Sequence, residues 1–286
     1  MKLYLHNLIM NKIKLSIIIV NLNTIDLTEG CIKSIYKYKL NFPFEVFITD
    51  NGSNDGSVEM LKKYDAKYDN FHAIFNNNNT GYAKANNQGI RLAKGKYVLL
   101  LNNDTVVYKD SLNALVEFTD KTPDAGVVGS KLLNIDGTLQ MSCFNFPTIK
   151  NAILEYYLGK KGLFDKFAPR DRKPTTVDSV VGAVFLITPK AIEKVGILDE
   201  RYWAYFEDID YCRQCWKNGL KVYYLPESVI THYNGATFKK LANETERWKR
   251  LIPSSKIYHG LINHFIINAI LWSGQKWQKL LTKLNK

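Results

Sequence analysis

The stretch Tyr97–Val107, YVLLLNNDTVV, constrains the fold more than any other. Tyr97–Leu101 is an unbroken apolar run of strand length, with no polar face to leave in water. It reads as a strand buried on both sides, which belongs in a parallel sheet covered by helices. The run ends in Asn102, Asn103 and Asp104. A carboxylate at the carboxyl end of such a strand lies where open α/β sheets bind ligands. Asp104 also suits Mg2+ or Mn2+, hard ions that prefer oxygen. The plain alternative is a polar turn, since Asn and Asp are ordinary turn formers.

The preceding segments repeat the same grammar. Lys14–Val20 is a continuous β-branched strand, and Asp26–Tyr38 carries apolar residues at helical spacing. Phe44–Thr49, Val58–Tyr68, Phe71–Phe75 and Ala83–Ala93 follow as strand, helix, strand and helix. A β-α-β-α-β-α-β order predicts a doubly wound, mostly parallel sheet with right-handed crossovers. The loop Asp50–Ser57, DNGSNDGS, offers glycines for close backbone approach and short side chains that leave room for a nucleotide. No GxGxxG and no GxxxxGK[ST] occurs, which argues against a dinucleotide fold or a P-loop.

Beyond residue 107 the alternation loosens. Helices are expected at Asp110–Thr119, Lys190–Val195 and Glu207–Asn218. Short strands are expected at Ala125–Gly129, Lys131–Leu133, Leu139–Phe146, Lys221–Leu225 and Val229–Tyr233. Val177–Thr188 reads as a buried strand broken at Gly182-Ala183, and the basic, aromatic segment Asn151–Lys173 as a mobile or acceptor-facing excursion. The expected organisation is a nucleotide-binding half (12–107), an acceptor and catalytic half of the same domain (108–240), and a helical, basic extension (241–286).

Lys and Arg number 39 against 27 Asp and Glu, a net charge of +12. That balance favours anionic partners: nucleotide phosphates or an acidic membrane surface. Nucleic acid ranks last, because no basic block, RNP, helix-turn-helix or zinc-finger pattern is present. The four cysteines make no secreted disulfide framework in a chain this long. Cys212-x-x-Cys215 has redox or zinc spacing but falls in a helical pattern, so buried thiols are expected. Formal glycosylation sequons begin at Asn51, Asn78 and Asn103, in the loops expected to form the site. A glycan there would block it, which suggests a cytosolic chain. Residues 1–9 lack a signal-peptide pattern, and Met10 looks like a natural start.

A second acidic cluster is Glu207, Asp208 and Asp210, after the aromatic run Tyr202–Phe206. Acids at a helix start can serve the helix dipole alone. Asp208 can instead be a general base, its pKa raised by the neighbouring rings. His232, near a strand end, is either structural or a partner of Asp104 at a metal.

These residues carry a resemblance. SIIIVNLN, ITDNGSNDGS, NTGYAKANNQGI, GKYVLLLNNDTVV, VGAVFLI, LDERYWAYFEDIDYCRQ and VITHYNGAT stand in the order found in family-2 glycosyltransferases, over roughly residues 12–240. The chain most resembles the rhamnosyltransferase-like branch. The resemblance implies a GT-A fold, α/β with a mostly parallel twisted sheet, and inverting transfer of a sugar from a nucleoside diphosphate. It implies donor contacts from Asn21, Asp50, Asn51, Gly52, Asp55, Gly81, Asn87, Asn102 and Asn103. It places the acceptor against Gly182, Ala183, Trp203 and Glu207, the base on Asp208, and a divalent cation (Mg2+ or Mn2+) on Asp104 and His232. The family's DxD falls on Asn102-Asn103-Asp104, where Asn replaces the first acid, leaving Asp104 as the ligand. The expected donor is dTDP-rhamnose and the expected acceptor a glycan or lipid-linked saccharide of cell-surface polysaccharide synthesis. The rival readings are a UDP-hexose transferase and a nucleotide-sugar-binding protein that has lost catalysis.

The tail completes the expectations. Ile257–Leu271 would rise only about 22 Å as a helix, too little to cross a bilayer core. Trp272, Lys276, Trp277, Lys279, Lys283 and Lys286, with Leu280, Leu281 and Leu284 between them, suit a helix lying on anionic lipid at the inner face of the membrane. The alternative is a helix docked on the core or on a second subunit, as in a homodimer.

Overall fold

The computed structural model describes residues 13–170, 172–233 and 244–284. Residues 1–9 and the end of the VITHYNGAT block lie outside them. The first half follows the alternation closely: β1 (Leu15–Asn21), α1 (Ile25–Lys37), β2 (Phe44–Asp50), α2 (Ser57–Lys67), β3 (Phe71–Phe75), α3 (Tyr82–Leu92) and β4 (Tyr97–Leu101). These four strands are parallel in the order β3-β2-β1-β4, and the register sets Asn21 beside Asp50. β4 is buried along its whole length, as its unbroken apolar run requires.

The second half comprises β5 (Thr105–Val107), α4 (Ser111–Lys121), β6 (Ala125–Leu133), β7 (Cys143–Phe144) and α5 (Ile149–Tyr156). These are followed by β8 (Thr175–Thr176), β9 (Ser179–Val180), β10 (Val184–Ile187), α6 (Pro189–Val195), α7 (Glu207–Lys217) and β11 (Lys221–His232). One sheet runs through both halves, β3-β2-β1-β4-β10-β6-β11-β5, with β8 added on β11. β10 lies antiparallel to β4 and β6, so the sheet is mixed at its centre.

Several boundaries differ from the sequence reading. The two strands expected over 221–233 are one, with a register shift between Leu225 and Val229. Pro226 lies in that gap and has no N–H for the ladder. The strands on either side of Ser130 are likewise continuous. The edge strand expected over Leu139–Phe146 shrinks to β7, which pairs with β9 outside the main sheet. The excursion expected over Asn151–Lys173 begins inside a helix, α5, and beyond it is anchored locally, since Glu155 Oε2 accepts N–H bonds from Leu163 (2.7 Å), Phe164 (2.6 Å) and Asp165 (3.4 Å). All four cysteines are free and buried, as expected for Cys212 and Cys215 inside α7.

The extension forms α8 (Glu244–His259) and α9 (Leu261–Leu284), separated at Gly260, whose φ of +75° is easy only for glycine. α8 packs beneath the aromatic segment before α7. Ser254 Oγ donates to Ala204 O at 2.7 Å, and the Arg213 guanidinium lies 3.8 Å from the Tyr258 ring. One seam of α9 docks on α5: Tyr157 donates to Ser273 Oγ at 2.6 Å, and a Cβ on Gly274 would lie 2.5 Å from Tyr156 Cβ. No helix among the described residues is long and apolar enough to cross a membrane.

Candidate active site

The carboxyl ends of β1, β2 and β4 meet in a buried polar knot. Asn21 donates through Nδ2 to Asp50 Oδ2 at 2.7 Å, and its Oδ1 accepts from Thr24 (3.0 Å) and Thr28 (2.6 Å). Asn103 Nδ2 donates into the same cluster, to Thr24 Oγ1 at 2.6 Å and Thr28 Oγ1 at 2.8 Å. Asp50 Oδ1 accepts the N–H groups of Gly52 (3.2 Å) and Ser53 (2.9 Å), which folds the DNGS loop back onto its own strand. Asn21 and Asp50 are fully buried and Asn103 nearly so. Inside a protein such bonds meet little competition from water, so a fully satisfied network rigidifies the strand ends.

Other expected donor residues brace the surrounding loops. Asp55 accepts from Ile25 N at 2.9 Å and from the Ser57 hydroxyl at 2.6 Å, pinning the start of α1 to the start of α2. Burial works against its charge, but these bonds from Ser57 and Ile25 hold its pKa below the usual carboxylate value. Asn51 Oδ1 accepts from Asn76 Nδ2, Thr80 N and Thr80 Oγ1, each at 3.1 Å, and orders the Asn-rich loop. Gly52 and Gly81 have φ near +90°. A Cβ would lie 2.9 Å from Asn78 Cα at the first and 2.7 Å from Trp203 O at the second. Asn87 is engaged elsewhere: its amide ties α3 to Leu198 O (2.8 Å) and Glu200 (3.0 Å).

Asp104 and His232 do come together, Oδ1 and Nε2 being 3.2 Å apart and both residues buried. Two ligands at right angles on an octahedral ion at ~2.1 Å sit about 3 Å apart, so the pair fits adjacent positions on Mg2+ or Mn2+. Among the described residues no third His, Cys, Asp or Glu joins them, so diphosphate oxygens and water would fill the shell. The strand pairing of β5 with β11 aligns Thr105 with His232, and Tyr233 N donates to Asp104 O at 2.9 Å. Asn102, in place of an acid, directs Nδ2 at His232 Nε2 from 3.4 Å.

The acid pair is built by strain. Tyr205 and Phe206 both have φ of +70°, costly for bulky residues, and this turn opens α7 with Glu207 and Asp208. Asp208 Oδ2 accepts from Gly182 N at 2.9 Å and Oδ1 from Ile209 N at 2.8 Å. Burial raises the Asp208 pKa, while those two N–H donors and the Lys166 charge favour its anion. Glu207 is 8% exposed, and its Oε2 has no hydrogen-bond partner among the described residues. Burial, then the charge of Asp208, pushes its pKa up to about 8. Asp210, the third acid, is paired with Arg213.

Tyr82, not singled out by the sequence reading, links the two clusters. Its hydroxyl lies 3.1 Å from Asn102 Oδ1 and 3.0 Å from Gly182 O, and its backbone N–H donates to Trp203 O at 2.7 Å. A continuous path therefore runs His232–Asn102–Tyr82–Gly182–Asp208. Trp203 is partly buried, with the Arg250 guanidinium 4.2 Å from its ring. Ala183, expected against the acceptor, has its methyl in the hydrophobic core, and its carbonyl accepts from Asn102 N at 2.9 Å. Only the NTGYAKANNQGI block marks Tyr82 in the sequence, and nothing marks Gln140, which lies 2.7 Å from His232 Nδ1.

The profile of glycosyl transferase family 2 matches residues 16–195. The low-salt glycan biosynthesis hexosyltransferase Agl10 of Haloferax volcanii is 26% identical over 212 residues, covering 73% of this chain and 63% of that protein. An N-acetylglucosaminyl-diphospho-decaprenol L-rhamnosyltransferase of Mycobacterium tuberculosis is 26% identical, covering 67% of each. The cholesterol galactosyltransferase of Borreliella burgdorferi is 29% identical over 82% of this chain and 63% of that protein. The chain thus spans about two thirds or slightly less of these relatives. Two solved structures share the GT-A fold. One is Staphylococcus aureus TarS 1–349 with UDP-GlcNAc (TM-score 0.58, 18% identity, 91% of this chain and 70% of that one). The other is GalNAc-T7 with UDP, GalNAc and Mn2+ (TM-score 0.62, 17% identity, 78% and 44%).

Proposed function

This chain belongs to glycosyl transferase family 2, and we propose that it moves a sugar from a nucleoside diphosphate to an acceptor hydroxyl with inversion. The observation that carries the reading is the Tyr82 link, which joins an anion-ready base at Asp208 to a cation-ready pair at Asp104 and His232. Asp208, whose anion two N–H groups favour, takes the acceptor proton as the oxygen attacks the anomeric carbon. The departing diphosphate leaves from the opposite face, through an oxocarbenium-like transition state. A divalent cation at Asp104 and His232 would neutralise the charge that develops on it. The chain's own part is alignment: the strained turn at Tyr205–Phe206 aims the base, and the polar knot fixes the loop that faces the nucleoside.

The proposed donor is dTDP-rhamnose and the acceptor a lipid-linked saccharide in cell-surface polysaccharide synthesis. The resemblance to a rhamnosyltransferase whose acceptor is named as a diphospho-decaprenol supports both. A UDP-hexose donor is the second reading, favoured by the galactosyltransferase that matches over 82% of the chain. A binding protein without catalysis has only Asn102 in its favour and gives no reason for the geometry around Asp208. A peripheral, cytoplasmic-face position is proposed with the lipid-linked acceptor. α9 supports it: Ile262, Phe265 and Trp272 are exposed on the side away from the seam that docks on α5.

A panel of nucleotide sugars, read by nucleoside diphosphate release with and without Mn2+, tests the proposal. Release from dTDP-rhamnose that increases when a polyprenyl-diphosphate saccharide is added is the expected result. No release from any donor would overturn it.

A further inference from the structure

We propose that Gln140 is a positioning residue that fixes which ring nitrogen His232 offers to a divalent cation. The inference rests on reading Asp104 and His232 as a cation pair, and its argument begins from an atom whose role has no ambiguity. The backbone carbonyl of His232 can only accept, and Gln140 faces it at 3.0 Å, so the facing atom is the amide nitrogen. The same nitrogen donates to Asn134 Oδ1 at 2.8 Å. The amide oxygen is thereby turned to His232 Nδ1, at 2.7 Å. An amide oxygen only accepts, so Nδ1 carries the hydrogen.

In the neutral ring Nε2 is then bare, and it points at Asp104 Oδ1, 3.2 Å away. A lone pair facing a carboxylate oxygen makes no bond, whereas a cation between the two satisfies both. The Asn102 amide nitrogen, 3.4 Å from Nε2, also presents a donor rather than an acceptor to it. Ligating histidines commonly have their second ring N–H held in this way, which fixes tautomer and ring orientation.

The fold explains why a glutamine so far away in sequence reaches this place. β6 runs parallel beside β11 and then reverses at Asn134–Gly137, where Gly137 has φ +81°. Gln140 N donates back to Leu132 O at 2.9 Å, so the returning segment lays its side chain beside the end of β11. Gln140 is 6% exposed, and its two bonds to His232 are buried.

The test measures Mn2+ binding to the intact chain by electron paramagnetic resonance of free Mn2+, with saturating UDP or dTDP, whichever binds more tightly. Gln140→Met keeps the length but removes both the carbonyl and the amide N–H. It should weaken Mn2+ about 10-fold to 100-fold, the range for lost outer partners of a metal ligand. Nucleotide affinity in a chelator should stay as in the wild type, which also certifies folding. Gln140→Asn, one methylene too short, should behave like Gln140→Met. In a His232→Gln background, Gln140→Met should cost nothing more, because it acts through the ring. Wild-type Mn2+ affinity in Gln140→Met, or independent effects in the double variant, would overturn the proposal. A wild type that takes up no Mn2+ yet releases nucleoside diphosphate would overturn the proposal and the cation pair, while leaving the transfer reading intact.

Discussion

Gly182 N donates to Asp208 Oδ2 at 2.9 Å, and this bond decides which of two adjacent acids carries the charge. Glu207 and Asp208 are consecutive, and both are pushed toward neutrality by burial. They differ in what touches them: Asp208 receives two N–H groups, while Glu207 Oε2 receives none. A proton held between such a pair favours Glu207, whose Oε2 takes no hydrogen bond among the described residues, and leaves Asp208 as the base.

Asp208→Asn keeps the shape but removes the proton acceptor. It should lower kcat about 10²-fold or more, the scale of general-base loss. The donor KM should change little, since Asp208 is assigned no donor contact. Initial rates against donor and acceptor concentration check this, and near-normal turnover in the folded variant would shift the role to Glu207.

Glu207 ties stability to pH with a definite sign. Its pKa rises from 4.5 to about 8 on folding, so the unfolded chain gives up this proton first. The contribution is therefore fully present below about 4.5 and is lost as pH rises towards 8. Glu207→Gln should flatten that decline, gaining melting temperature relative to wild type at pH 8 but not at pH 4.5. Parallel melting curves for the two proteins across this range would count against a buried neutral Glu207.

Asn102 offers a gain-of-function test of the cation pair. Asn102→Asp restores a carboxylate 3.4 Å from His232 Nε2 and still accepts from the Tyr82 hydroxyl. It should tighten Mn2+ binding, because each added carboxylate strengthens a hard-ion site. Asp104→Ala should weaken Mn2+ and nucleoside diphosphate binding together. Calorimetric titration of both ligands settles the matter, and activity indifferent to chelator would rule the cation out.

What the sequence made legible was the part governed by local pattern. The unbroken run at Tyr97–Leu101 and the helical spacing of Asp26–Tyr38 determine their elements almost alone, because burial on both faces leaves a strand few alternatives. The meeting of Asp104 with His232 was one of two readings open from residue type, and the family resemblance chose it; local pattern could not, since 128 residues separate them and the pairing of β5 with β11 brings them together. Asp50 has a second task that residue type did not announce. The resemblance assigns it a donor contact, and its oxygens also accept from Asn21, Gly52 and Ser53 inside the knot. Any nucleoside contact from Asp50 must share an already crowded carboxylate. The reversed direction of β10 was illegible because an apolar strand carries no mark of its neighbours' orientation.

The tail yields the last prediction, and the packing of α8 dictates how it must be tested. Removing everything after residue 243 would also strip Ser254, Tyr258 and Arg250 from the segment that aims Asp208, so a truncation confuses binding with folding. Substitutions on the free face of α9 avoid this. His264, Ile267 and Gly274 form its buried seam, while Ile262, Phe265 and Trp272 are exposed, with Lys276 and Lys279 one and two turns further on. A helix apolar on both its docked and its open face needs a second apolar environment, and lysines beside the open face favour anionic headgroups. The intact chain should co-sediment with phosphatidylglycerol vesicles and not with phosphatidylcholine alone, and added salt should release it. Ile262→Ser with Phe265→Ser and Trp272→Ser should abolish sedimentation while leaving transfer to a water-soluble acceptor unchanged. If the wild type stays in the supernatant with both vesicles, the open face of α9 is not a lipid surface, and a concentration-dependent dimer in the same samples would identify a second copy as its cover.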